Sequence, residues 1–406
     1  MGSLPRIFTF AFLALLTALS IHGQTSPELK LKTFEKVWKT VNDGFYDPNF
    51  NGVNWKAVHD RYAPRIDATK TEAEFYDLLD DMLAELKVSH MEILKPEDLA
   101  QLKKVTTTTG LGLRAIDGQV VVTRILPDSS AAKAGLKTGF VVTGVNGQPV
   151  KTLQETSPAL GGPAGSTLKL SYLNENDQPA EATLERVGLS DENKGNIGAG
   201  LKFYFLFASE RLRNNIGYFR FSSFVGAVSP QITAAIESMK DAPGIIIDLR
   251  GNGGGDDEVA IKMANMLFDK ETQLMITRTR KGDDMYYKAK PVKNPYRGPV
   301  VILVDEFSGS ASEQFTAGMQ EAGRAYVIGK TTEGDDMDAD LAKLPTGAYL
   351  IYATGQPRTP KGVVIEGRGV IPDKEVSLTR KELLAGQDAQ LEAAIQYIES
   401  RKKPDR

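Results

Sequence analysis

The sequence predicts a multidomain α/β (α+β) protein: a helical N-terminal region, a small strand-rich module, and a larger domain in which strands and helices alternate. Three observations lead there. Apolar residues recur at helical spacing before residue 94, and β-branched runs bounded by glycine turns fill residues 105–185. Beyond residue 240, two strands apolar on both faces are each followed by a glycine- or serine-rich turn and a helix. A chain of 406 residues has room for two to three such domains, each burying its own core.

The N-terminus comes first. Arg6 precedes the apolar run Ile7–Leu19, and Ser20-Ile21-His22-Gly23-Gln24 follows it. A basic start, an apolar stretch too short to span a bilayer and then small or polar residues form the pattern of a signal peptide, here residues 1–24. No later run is long and apolar enough to cross a membrane. The chain has no cysteine, so it can carry neither a disulfide nor a lipidated cysteine, and that suits an oxidising compartment. An exported protein, periplasmic or extracellular, with no integral membrane segment after signal cleavage is expected. The formal net charge of -3 shows no basic excess, so nucleic acid is not an expected partner.

Residues 25–100 read as a helical domain. Phe34, Val37, Trp38 and Val41 make one apolar stripe; Phe75, Leu78, Leu79, Met82, Leu83 and Leu86 make a second. Thr71 with Glu74 three residues on predicts a capping box before the second stripe, which stops at Lys87-Val88-Ser89-His90.

Residues 101–190 change to strands and turns. Val120-Val121-Val122 follows the turn Asp117-Gly118, and Val141-Val142 and Leu168–Tyr172 read as further strands. Asn146-Gly147 predicts a tight hairpin because both residues tolerate positive φ. Ser130–Leu136 reads as a short helix. This ordered set, with Gly110-Leu111-Gly112-Leu113, Ala134-Gly135-Leu136-Lys137-Thr138-Gly139 and Val145-Asn146-Gly147-Gln148-Pro149-Val150, resembles a PDZ domain. The resemblance implies that the amides of Leu111, Gly112 and Leu113 bind a peptide's terminal carboxylate while the peptide adds a strand to the sheet edge.

Residues 191–406 read as α/β. Strands are expected at Ile216–Phe221, Gly244–Leu249 and Val300–Val304, the last two apolar on both faces as in a covered sheet. Helices are expected at Ile232–Met239, Glu258–Leu267 and Ala311 to about Ala322.

Two turns in this domain can carry chemistry. Asp248-Leu249-Arg250-Gly251-Asn252-Gly253-Gly254-Gly255 ends a buried strand, and its glycines let backbone N–H groups approach an anion. No Gly-Lys-Ser/Thr follows, so a nucleotide site is poorly supported. The same geometry suits an oxyanion hole. The second turn, Asp305-Glu306-Phe307-Ser308-Gly309-Ser310-Ala311-Ser312-Glu313, joins a strand to a helix. Any one of its serines could be a helix cap, but three alternate with small residues that leave room for a peptide.

Taken with Gly323-Arg324-Ala325-Tyr326-Val327-Ile328-Gly329-Lys330-Thr331-Thr332-Glu333-Gly334 and Glu366-Gly367-Arg368-Gly369-Val370-Ile371-Pro372-Asp373, these turns resemble the tail-specific (C-terminal processing) serine protease family. The likeness runs through nearly all of the chain after the signal peptide. It implies a catalytic domain of the crotonase/Clp-like β-α spiral kind, with a helical N-terminal domain and an inserted PDZ-like domain. It also implies Ser310 as nucleophile, the N–H groups of Ala311 and Gly254 as oxyanion donors, and substrates that are proteins or peptides with a free C-terminus. No cofactor is implied, and no cluster with metal-ligand spacing occurs.

One position departs from the family. Its usual lysine base is replaced by Asp335, with Ala339 where a glutamine follows, and an aspartate does not substitute for a neutral lysine. The related tricorn core protease branch uses a Ser-His pair and a glutamate instead, which match Ser89, His90 and Glu366. Imidazole titrates near neutrality and suits the task. His59, on an amphipathic helix, reads as structural, and Lys330 and Lys361 read as surface lysines that could in principle be relocated bases. The same departure leaves open a second reading, an inactive family member that binds peptides through its PDZ domain.

Overall fold

The computed structural model describes residues 25–97, 99–100, 107–197 and 201–401. The expected signal peptide lies outside the described residues, and among these no helix is long and apolar enough to cross a membrane.

Three helices open the chain, each with a polar cap: α1 (Pro27–Gly44), α2 (Trp55–Tyr62) and α3 (Glu72–Ala84). Ser26, Asn54 and Thr71 accept from first-turn N–H groups that have no partner within the helix. Thr71 takes Glu74 N–H at 3.1 Å, but Glu74 Oε2 accepts from Lys70 N–H at 2.6 Å, so the expected capping box closes one residue early. Phe34, Val37, Val41, Phe75, Leu79 and Leu83 are buried together. This core is not self-contained. Met337, Leu344, Leu350 and Ala353 complete it, and strand β1 (Glu92–Leu94), just after α3, pairs antiparallel with residues 349–351.

The PDZ region is a sheet of β2 (Leu111–Ile116), β3 (Gln119–Ile125), β4 (Val141–Val145), β5 (Thr167–Leu173) and β6 (Pro179–Glu185), in that spatial order. Asp117-Gly118 and Asn146-Gly147 are both left-handed in φ, as the expected hairpin turns require. Leu113, Val120, Val122, Val142, Leu168 and Leu170 form its core.

The C-terminal region is built on a second sheet, β7 (Phe207–Arg211), β8 (Gly217–Phe221), β9 (Ile245–Asp248), β12 (Val300–Val304), β13 (Ala325–Gly329) and β16 (Lys374–Glu375). All neighbours after β8 are parallel, and β9 and β12 are buried at every position. Both faces are covered. Helices α4 (Ser229–Ser238), α5 (Asp257–Asn265) and α6 (Ala311–Glu321) share one core with Ile245, Ile247, Val300 and Ile302. Helix α7 (Ala389–Ser400) packs on Ile246, Val301 and Leu303 from the other side. A third sheet joins β10 (Thr272–Thr279), β11 (Asp284–Ala289), β14 (Asp338–Lys343) and the long β15 (Tyr349–Arg358) to β1.

Candidate active site

Parallel strands β9 and β12 are neighbours and end side by side, which puts the two chemical turns in contact. Side chains then tie them together. Ser308 Oγ donates to Leu249 C=O at 2.8 Å, and Ser312 Oγ donates to Asn252 C=O at 2.7 Å. Asp305 Oδ1 accepts from Gly251 N–H at 2.8 Å, and Gly309 N–H donates to Asn252 C=O at 3.1 Å. Two of the three serines are thus fasteners between the turns. The side chain of Ser310 makes no such bond among the described residues, and it lines a cleft of about 650 Å³. Its backbone takes φ 51° and ψ -123°, a region disfavoured for L-residues and suited to a sharp strand-to-helix turn.

The peptide around Ser310 is held from below. Its N–H donates to Asp335 C=O at 3.0 Å and to Glu313 Oε2 at 3.1 Å. Glu313 Oε1 accepts from Gly334 N–H at 2.8 Å and from the Thr332 hydroxyl. Burial pushes the Glu313 carboxyl up to about 7, against the pull of these hydrogen bonds. A raised acid is protonated more readily in the folded protein than in the unfolded chain. Stability should therefore fall as pH rises from the ordinary value of 4.5 to about 7. By the size of the shift the loss is about 3 kcal/mol. Denaturant midpoints measured across that range should show this slope reduced in Glu313→Gln.

Ser89 and His90, beyond α3, meet Glu366 from 277 positions away. Ser89 N–H donates to Glu366 Oε1 at 2.6 Å and Ser89 Oγ donates to Oε2 at 2.8 Å; His90 Nδ1 lies 2.8 Å from the same Oγ. Asp336 N–H also donates to Oε2, at 2.8 Å. The single Ser89 hydroxyl proton goes to the carboxylate, so His90 Nδ1 must be the donor to Oγ. In the neutral ring this leaves Nε2 as an open acceptor. His90 lines the same cleft as Ser310, without a hydrogen bond between them among the described residues. Apo geometry is often looser than the working complex.

The remaining expected residues fall as follows. Ala311 is buried at the first position of α6, where a helix N–H has no internal acceptor. Gly254, at φ 94°, packs on Ser310 so closely that a Cβ would stand 2.7 Å from Ser310 Cβ and 2.8 Å from Ala311 N. Its own N–H donates to Asn252 Oδ1 at 3.0 Å. Leu111, Gly112 and Leu113 begin strand β2, and Gly110 at φ 87° makes the turn ahead of them. Strand β2 is at the edge of its sheet. Asp335, at the family's lysine position, is raised by burial and by Glu366, with His90 pulling the other way. Lys330 is half-exposed with Glu306 at 3.9 Å, Lys361 is exposed, and neither lines the cleft. His59 Nε2 is 3.0 Å from Glu35 Oε1, and its ring lies against Phe34 and Trp38.

Sequence reasoning passed over Asp305 and Asn252 as organisers of the turns. Their signal was position: each polar side chain directly follows a buried strand or its first turn.

Residues 215–376 match peptidase family S41, residues 30–84 the tricorn protease C1 domain and residues 121–173 a PDZ domain. The large C-terminal domain belongs to peptidase family S41. The chain is accordingly a serine-type peptidase. The carboxyl-terminal-processing protease of Synechocystis sp. is 27% identical, over 97% of this chain and 93% of its own length. Putative tricorn protease homolog 2 of Streptomyces coelicolor is 28% identical over 90% of this chain, which spans 32% of that protein. Among solved structures, a photosystem II D1 C-terminal processing protease superposes with TM-score 0.56 at 24% identity, covering 89% of this chain and 98% of the other. The tricorn protease gives 0.54 at 18% identity, covering 92% and 37%. At these identities the two structures speak for the shared fold.

Proposed function

We propose that this S41 peptidase is an exported endopeptidase that cleaves proteins or peptides engaged near their C-termini. Ser310 is the nucleophile, His90 the base, and Ser89 with Glu366 orient the base. One observation carries the reading: of three alternating serines, only Ser310 keeps its hydroxyl out of the turn-to-turn fastening, in the cleft that His90 also lines.

The chemistry follows from that arrangement. Ser310 Oγ attacks the scissile carbonyl and its proton passes to His90 Nε2. The imidazolium is stabilised through Ser89 by the Glu366 carboxylate, as in other triads in which a third group orients the base. The oxyanion takes Ala311 N–H and Gly254 N–H. The latter now serves the neutral Asn252 amide oxygen, and a charged oxygen draws the stronger bond. His90 then protonates the leaving amine, and water activated by His90 releases the acyl group. The open edge of β2, beginning at Leu111, Gly112 and Leu113, suits a peptide C-terminus added as a strand. The names of the relatives, which speak of carboxyl-terminal processing, support that mode of engagement. Export rests on the signal-peptide pattern of residues 1–24.

An active-site phosphonate tests the reading. Mass spectrometry should find the adduct on Ser310 in the parent protein, Lys330→Ala and Lys361→Ala, and no adduct in His90→Ala. Absence of labelling in the parent from mildly acidic to alkaline pH would instead favour a peptide-binding protein.

A further inference from the structure

We propose that the cleft selects a substrate whose residue at the attacked carbonyl is lysine or arginine, with Asp257 and Asp338 receiving its charge. This rests on the peptidase reading above and adds the substrate class.

Among the described residues, the cavity that holds Ser310 and Gly254 is lined by three aspartates, Asp257, Asp338 and Asp340, and by no lysine or arginine. Asp257 sits three residues beyond Gly254, at the first position of α5, so it flanks the oxyanion turn. Its carboxyl makes no hydrogen bond or ion pair among the described residues. Asp338 gives Oδ1 to Gln314 Nε2 at 2.9 Å, while Oδ2 is closed to solvent and makes no well-formed hydrogen bond, having only the Thr277 hydroxyl as a loose neighbour. A buried acceptor left unpaired is costly unless a ligand supplies the donor. Burial and mutual repulsion hold Asp257 well above the usual carboxylate range, and burial raises Asp338 as well. A cation between them would relieve both.

The walls fit the stem of such a side chain. Met285, Met337, Leu341, Ile351 and Tyr287 line the same cavity, giving apolar surface for the methylenes of lysine or arginine while the head reaches the carboxylates. Gly355 keeps the floor open: a Cβ there would lie 3.1 Å from Asp338 Oδ2 and 2.4 Å from Thr277 Cγ2. A divalent metal ion is the less suitable occupant. Among the described residues no group of three or more His, Asp or Glu side chains is placed to hold one, whereas an ammonium or guanidinium brings several N–H donors of its own. Position decides which substrate residue is read. The carbonyl under attack rests between Ala311 and Gly254, so the side chain of that same residue is the one nearest Asp257.

The test uses peptides identical except for lysine, norleucine or glutamate at the cleaved position. The parent enzyme should prefer lysine over norleucine by about 10- to 100-fold in kcat/KM, and Asp257→Asn and Asp338→Asn should each cut that ratio at least several-fold. The norleucine rate in each variant shows whether it has folded. Equal or lower kcat/KM for lysine, with a ratio indifferent to both substitutions, overturns the proposal and leaves the peptidase intact. If nothing is cleaved, calorimetric binding to Ser310→Ala decides. Tighter binding of the lysine peptide upholds the charge selection while the peptidase reading falls, and equal or weaker binding overturns the selection too.

Discussion

Replacing His90 by alanine should lower kcat/KM on a cleavable peptide by about 10⁴-fold or more, leaving KM and the thermal midpoint almost unchanged. The size follows from its place in the network. Among the described residues His90 is the one imidazole lining the cleft, beside the carboxyls of Asp257, Asp338 and Asp340 and the phenol of Tyr287. No lysine among the described residues lines the cleft to take over, and Asp335 stands at the position of the family's lysine. Ser89→Ala should cost less, about 10- to 100-fold, because the ring survives but loses its link to the Glu366 carboxylate. Imidazole added to His90→Ala offers a second readout: partial rescue marks a lost base, whereas a collapsed site gains nothing. A His90→Ala enzyme with near-parental kcat/KM would remove His90 from the mechanism.

Gly254→Ala should lower kcat by about 10²- to 10³-fold. The added methyl would fall within 2.7 Å of Gly309 C=O and Ser310 Cβ and 2.8 Å of Ala311 N. Two of these neighbours are backbone and cannot swing aside, and the φ of 94° is itself unfavourable for alanine. The turns must separate, so Ala311 N–H leaves the place where the oxyanion forms. Phosphonate labelling of Ser310 in this variant should slow in parallel with kcat. Parental turnover would show that the oxyanion is held elsewhere.

Much of this architecture is legible locally. The apolar run Val300–Val304 is the observed strand residue for residue, and the two hairpin turns follow from Asp117-Gly118 and Asn146-Gly147. Such features depend on backbone preferences and burial over a few positions. The sequence also suggests why Ser308, Ser310 and Ser312 matter, but not that two of them bond to carbonyls on another turn. That division of labour depends on strand order. The pairing of β1 with β15 is hidden for the same reason. Glu92–Leu94 is three residues long, and its partner lies more than 250 positions onward. Loop closure over such a span leaves no periodicity to read. Asp257 and Asp338 are likewise ordinary acids in sequence, and only the fold brings these first residues of α5 and β14 to one cavity.

The debt of the N-terminal helices to strand β15 has a consequence in time. Synthesis delivers Ser89 and His90 early and Ser310 much later, yet the helices lack part of their core until Leu350 and Ala353 have emerged. The carboxylate that accepts from Ser89 arrives later still, at Glu366. A growing or truncated chain therefore holds His90 and Ser310 without the frame that gathers them at one cleft. The cleft is assembled only once β15 and Glu366 are in place.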